Sequence, residues 1–329
     1  MSKATARSKK NLTFFLLGFA FLLAPIFGMN MHQIGLLILM LVNVGMAVSV
    51  RMVLVTGQFH VCHAAFMGIG AYTSALLVNY VKLSFWLALP ASAGITALSG
   101  LIIGYITLRL KGLYFFFVTF CLAEVFRLGI VNGPKILGGF TGISTSPVSP
   151  IIIPGLLTID FTSRIYSYYF IFFVTALVVV VAHRIDSTRY GNILKGIAQN
   201  DALLESLGVD IAHYKILVFT VTCTIAGVIG SFWAHYFLVV AVDDYNTWKS
   251  IYFVVYNQVG GLGSVAGPIL GAISLTVLHE LLRPTIQFEP IIFGAILVGF
   301  IILLPGGLST LKQPILSLAK EVFIKRKRS

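Results

Sequence analysis

"RIDSTRYGNILKGIAQNDALLESLGVDIAHYK", residues 184–215, separates two apolar runs, about Tyr166 to Ala182 before it and about Ile216 to Val240 after it. Eight of its 32 residues are charged, four basic and four acidic, in a chain that is only 10% charged. Each flanking run is of the length that crosses a bilayer as a helix, about 20 mostly apolar residues. Outward from there the pattern repeats. The chain has 329 residues, 58% of them hydrophobic, and a mean hydropathy of +0.95, well above a soluble domain. It has room for roughly eight to ten spans. In lipid the backbone must bond to itself, and these runs are too long for barrel strands. The expected fold is an all-α polytopic membrane bundle of about ten helices, some interrupted or re-entrant. It would occupy residues 12–310, between an N-terminal tail, 1–11, and a basic C-terminal tail, 311–329.

In chain order, the first two spans run about Leu12 to Phe27 and Ile34 to Val50, and Arg51 marks the return to the cytoplasm. The third, about Gly57 to Tyr80, is rich in small residues that allow close helix packing. Its polar start, with Gln58, His60 and His63, suggests a non-helical entry covered by protein. The fourth, about Phe85 to Leu108, carries Gly100 and Gly104 in GxxxG spacing. The fifth, about Leu113 to Val131, carries Glu124 and Arg127. Residues 132–165 form an external loop rich in turn formers, with a short re-entrant piece around Ile151 to Leu157. Asp243 and Asp244 lie in an external turn. Ser250 to Leu282 is longer than one span and is read as two short helices hinged at "GGLGSVAGP", residues 260–268; the last span runs about Pro290 to Leu304.

The net charge of +12 does not mark a nucleic-acid binder. Lys3, Arg7, Lys9 and Lys10 precede the first span, and Lys325 to Arg328 follow the last. Such flanks orient a membrane protein and meet anionic lipid. On ten crossings, six of the 23 Lys and Arg fall outside: Lys82, Arg127, Lys135, Arg164, Lys249 and Arg283. The remaining 17, with residues 184–215, fall inside. Both termini are then cytoplasmic, in a bacterial inner membrane. Cys62, Cys121 and Cys223 are too far apart to form a disulfide framework or a metal spacing.

Within residues 184–215 two short helices are expected. In 192–199, Ile193, Leu194 and Ile197 share a face. In 201–207, Leu203, Leu204 and Leu207 share one, opposite Glu205 and Ser206. Asn200 suits the N-cap, Asp201 suits the first turn, and Gly208 suits the left-handed residue after the helix. A loop this long is more often functional than a plain connector, so the pair is read as a docking surface rather than a solvated link.

Five strings in order then carry a resemblance: "GQFHVCHAAFMGIGAYTSALL" (57–77), "LRLKGLYFFFVTFCLAEVFRL" (108–128), "GGFTGIS" (138–144), "YGNILKGIAQNDALLESLGVDIAHYK" (190–215) and "GGLGSVAGPILGA" (260–272). The chain resembles the permease of branched-chain amino acid ABC importers, the LivM-type subunit of the hydrophobic amino acid uptake family. The resemblance implies a heteromeric importer. A second, LivH-type permease would complete the path, two ABC ATPase subunits would bind ATP and Mg, and a periplasmic binding protein would deliver the substrate. It also implies that the 184–215 segment is a coupling loop of the EAA type. Arg189, Gly191, Asp201, Ala202, Glu205 and Gly208 are then the coupling residues. The chain departs from the family at Leu204 and Glu205, and again at Phe59, His60, Val61 and Cys62.

The remaining polar residues have sharp and plain readings. Glu124 could line the path or relay protons; alternatively it pairs with Arg127, three residues on, and braces its helix. His60 and His63 lack the further ligands a metal site needs. Gln58 and His63 fit a cytoplasmic mouth. Asn257 and Gln258 could line the path or bond between helices, as could Asn43 and Asn79. Gly260, Gly261, Gly263 and Gly267 read as close packing or a hinge. The chain has no GxxxxGK[ST], so it has no P-loop ATPase of its own. The expected function is the permease half of an ATP-driven importer for branched-chain or related amino acids. Urea, short amides or another small solute is the alternative within the family. Outside it stand an ion-coupled carrier using Glu124 and a non-transporting structural subunit.

Overall fold

The computed structural model describes residues 21–22, 25, 30–110, 112–153 and 157–283, together with a few positions between 292 and 299. The expected first and last spans lie largely outside the described residues. Eleven helices are present among the described residues. They are α1 (Met31–Leu54), α2 (His63–Asn79), α3 (Phe85–Thr107), α4 (Leu113–Val131), the short α5 (Pro134–Leu137), α6 (Arg164–Ser187), α7 (Arg189–Gln199), α8 (Asp201–Ser206), α9 (Ile211–Phe237), α10 (Thr247–Gly260) and α11 (Ala266–Leu282). Five of them, α1, α3, α4, α6 and α9, are long and apolar enough to cross a bilayer. At about 1.5 Å per residue even the shortest of these approaches the ~30 Å hydrocarbon thickness.

The centre of the bundle is α9, set against α2, α3 and α1. Lipid tails are as apolar as leucine, so helices in a membrane are held by close packing and hydrogen bonds rather than by burial from water. Here the close packing comes from small residues. A Cβ on Gly70 or Gly230 would fall on the backbone of the facing helix, at Gly227 and Met67. One on Gly227 would strike the Thr96 side chain of α3. The Gly100–Gly104 pair meets Cys223 and Phe219 of α9. Hydrogen bonds join the same surfaces: Ser231 Oγ lies 2.6 Å from Ser92 Oγ and donates to the Gly70 carbonyl. Ser49 donates to the Thr222 carbonyl, and Thr175 of α6 donates to that of Leu41.

The connection from α1 to α2 is non-helical over 58–62 and buried, save for the half-exposed Phe59. The expected long run divides into α10 and α11, packed as an antiparallel hairpin. Gly260 faces Gly267 and Tyr256 faces Gly271, each so closely that a Cβ would overlap the opposing backbone. Asn257 and Asn43 stitch this hairpin to α1. Asn257 Nδ2 donates to the Ala47 carbonyl at 2.8 Å, and Asn43 Nδ2 donates to Thr276 at 3.0 Å.

The long connection between α5 and α6 corrects one expectation. Ile151–Ile153 and Leu157–Ile159 are not a re-entrant piece but two strands, β2 and β3, paired antiparallel with Ile152 opposite Thr158. β-branched isoleucines suit a pleated pair better than a short helix. A second small ladder joins β1 (Ile143–Ser144) to β4 (Val239–Val240), just after α9.

Replacing Gly230 by leucine should lower stability by about 3 kcal/mol through overpacking of α9 on α2. Gly94→Ala, where an added Cβ would meet open space, should stay within about 0.5 kcal/mol. Thermal unfolding of the purified chain in detergent compares the two.

Candidate coupling segment and polar end of the bundle

The segment between α6 and α9 folds as two helices, as its pattern predicts. α7 buries Gly191, Leu194 and Ile197. Gly191 lies so close to the end of α6 that a Cβ would strike the Ile185 carbonyl and the Asp186 backbone. The far end of α7 rests on the α1–α2 turn, where Gly57, with φ +77°, meets Ala198. Asn200 accepts a hydrogen bond from the Leu203 amide at 3.1 Å, as an N-cap should.

α8 ends in a Schellman motif. Gly208 has φ +80°. Its amide donates to the Glu205 carbonyl at 2.9 Å, and the Val209 amide donates to that of Leu204 at 3.1 Å. The three leucines of α8 do not share one fate. Leu204 packs against Gly196 of α7, whereas Leu203 and Leu207 are 58% and 70% exposed. Ala202 and Glu205 stand on the same exposed surface, and Arg189 is exposed at the start of α7.

Asp201 is held within the chain. Lys215, buried at the start of α9, reaches its Oδ2 at 3.2 Å. The pair lines a cleft of about 230 Å³ with Gln58, Gly112 and Asn200, between the segment and the α1–α2 connection. Lys215 was not singled out from the sequence. A lysine among apolar residues fourteen positions after an aspartate was the available signal. Arg51, read from the sequence only as the end of a span, is fully buried and donates to Asp186 Oδ2 at 2.8 Å.

The candidate path residues separate by their partners. Gln58, His63 and Asn257 are buried at this same polar end or just above it, and each leaves one polar atom unpaired: Gln58 Oε1, His63 Nδ1 and Asn257 Oδ1. Gln58 otherwise donates to the Leu110 carbonyl at 3.4 Å, and His63 Nε2 lies 3.2 Å from Ser49 Oγ. His60, wholly buried against His63 and Phe219, has neither ring nitrogen paired. Unpaired buried polar groups are rare and costly, and most of those among the described residues lie here, with Trp233 Nε1 and Tyr245 Oη the exceptions towards the other end.

Glu124 and Arg127 belong elsewhere. Arg127 Nε donates to Glu124 Oε2 at 2.7 Å, and Thr247 donates to Oε1 at 2.9 Å. The carboxylate thus ties α4 to the start of α10. Gln258 is exposed. Of the hinge glycines, Gly260 and Gly267 make the close approach, Gly261 takes φ +93° at the turn, and Gly263 has open space around it.

Residues 33–305 match the family model described as "Branched-chain amino acid transport system / permease component". Two relatives are high-affinity branched-chain amino acid transport system permease proteins LivM. The one from Salmonella typhimurium is 29% identical over 279 residues, covering 78% of this chain and 64% of the relative. The one from Escherichia coli is 29% identical over 309 residues, covering 87% and 71%. A probable LivM from Methanocaldococcus jannaschii is 22% identical over 234 residues, covering 65% and 66%. The chain thus spans about two thirds of the length of these relatives. No solved structure matches.

Lys215→Met removes the lysine that pairs with Asp201 and should cost about 3 kcal/mol, toward the low end for a broken buried pair because Asp201 keeps some exposure. Adding Asp201→Asn should recover part of that loss. Thermal unfolding of the two variants in detergent measures it.

Proposed function

The chain belongs to the branched-chain amino acid transport system permease family, and on that premise we propose that it forms half of the translocation path of an ATP-driven importer for branched-chain or related amino acids. The observation that carries this is the exposed edge of α8. A capped, glycine-stopped helix presents Leu203 and Leu207 to solvent beside Ala202 and Glu205. Exposed apolar residues on an otherwise charged segment are what a protein partner covers. The partner is an ABC ATPase, whose nucleotide-driven closure moves α7 and α8. Arg189 and Gly191 set the seat of α7, and Gly208 sets where α8 ends. Asp201 fixes α8 to α9 through Lys215, so displacement of the docked helices passes directly into the central helix of the bundle.

A second homologous permease completes the path, and a periplasmic binding protein presents substrate at the opposite end. ATP and Mg reside in the ATPase. The segment, the α1–α2 turn, the α3–α4 turn and the start of α9 share one end of the bundle. The excess of Lys and Arg there supports a cytoplasmic side in a bacterial inner membrane, with both termini on it. The path residues best supported are Gln58, His63 and Asn257, whose unpaired polar atoms suit a polar solute crossing an apolar bundle.

With partner permease, ATPases and binding protein reconstituted in proteoliposomes, ATP inside should drive leucine uptake. Gly208→Pro, or Leu203→Asp with Leu207→Asp, should lower it at least about tenfold, the loss expected when docking anchors are removed. Unchanged uptake and unchanged substrate-stimulated ATP hydrolysis in Gly208→Pro would sink the coupling assignment. Uptake that collapses with a protonophore while ATP remains would point instead to an ion-coupled carrier. A substrate panel that includes urea and short amides tests the solute class.

A further inference from the structure

Arg51 is the largest fully buried side chain among the described residues. It ends α1 at the polar end of the bundle, with apolar neighbours before and after it in sequence. An unpaired arginine there would be expensive, and this one is held by two separate parts of the protein. Nη2 donates to Asp186 Oδ2 at 2.8 Å, in the last turn of α6 where the coupling segment begins. Nε donates to the Leu262 carbonyl at 3.1 Å, in the turn joining α10 to α11. The side chain therefore links the segment that leads to α7 with the glycine turn of the hairpin.

Both attachments belong to elements that also touch other parts of the bundle. Asp186 also faces Lys195 of α7 at 3.9 Å, and Gly191 of α7 lies against its backbone. A shift of α7 moves this carboxylate. Gly261 begins the hairpin turn in a left-handed conformation, and Gly263 beside Leu262 has open space around it. Three atoms of Arg51 can donate, yet Nη1 has no partner in this conformation. The guanidinium can exchange acceptors as its two attachments move.

We propose that Arg51 is a positioning residue that transmits movement of the coupling segment to the α10–α11 hairpin, through Asp186 on one side and the Leu262 carbonyl on the other. This gives the hairpin, which carries Asn257, its own link to the ATPase, separate from the Asp201–Lys215 link to α9. The inference rests on the docking role proposed above.

The test uses the reconstituted complex and reads three quantities: ATPase subunits retained on purification, ATP hydrolysis, and leucine uptake per ATP hydrolysed. Arg51→Gln and Asp186→Asn should each retain the ATPase subunits and lower uptake per ATP about tenfold, the scale of a perturbed coupling network. Because the two act through one contact, the double variant should lose no more than either alone. Arg51→Lys keeps the charge but cannot hold both acceptors in a fixed fork, and should fall in the same way while folding normally. If Arg51→Lys and Asp186→Asn leave uptake per ATP unchanged, or if the losses simply add, the transmission role is overturned. Loss of the ATPase subunits in these variants would also overturn it, since it would make Arg51 part of the docking seat. The docking reading stands or falls separately, on whether the Leu203→Asp, Leu207→Asp pair loses the ATPase subunits.

Discussion

Backbone contact between α9 and α2, at Gly70, Gly227, Gly230 and Met67, is the constraint on which the rest of the bundle depends. In lipid no apolar side chain gains by leaving its solvent, so helices stay together only where surfaces fit closely or share hydrogen bonds. Glycine removes the side chain that would hold two helices apart, and the freed space lets Ser231 bond to Ser92 and to the Gly70 carbonyl. The α10–α11 hairpin repeats the device at Gly260, Gly267 and Gly271. The 184–215 segment runs directly into the first residues of this close-packed centre, at α9.

The two ends of the bundle are built for different contacts. At one end, buried charges are paired across elements: Asp201 with Lys215 and Asp186 with Arg51. These pairs cost desolvation and add little net stability, so their value lies in fixing geometry. At the other end, short ladders and external turns hold the loops, and Glu124 with Arg127 and Thr247 ties α4 to α10. That pairing is the bracing contact expected of Glu124 and Arg127. Among the described residues, buried polar atoms without a hydrogen-bond partner belong to Arg51, Gln58, His60, His63, Trp233, Tyr245 and Asn257.

Much of the 184–215 segment was legible because local rules govern it. Asn200 caps, Gly208 stops, and Leu194 and Ile197 turn inward, all from spacing along a few residues. The division of the 250–282 run at its glycines followed from length. The strand pairing at Ile151–Ile159 was missed because a short apolar run carries no period that separates strand from helix. The differing fates of Leu203 and Leu204 were also hidden. Both lie on the apolar side of α8, and only the position of α7 separates the covered one from the bare one.

By itself the sequence determined the class of protein, the polar segment, its caps and its glycine stop, because lipid and backbone hydrogen bonding leave few choices over a local stretch. It also carried the family likeness. Tertiary structure alone decided which charges meet. Asp186 lies 135 positions from Arg51, and Leu262 lies 211 away. No periodicity relates residues so far apart. Their meeting is set by how α1, α6 and the α10–α11 hairpin pack, and that packing brings an arginine at the end of one helix against both α6 and the hairpin turn.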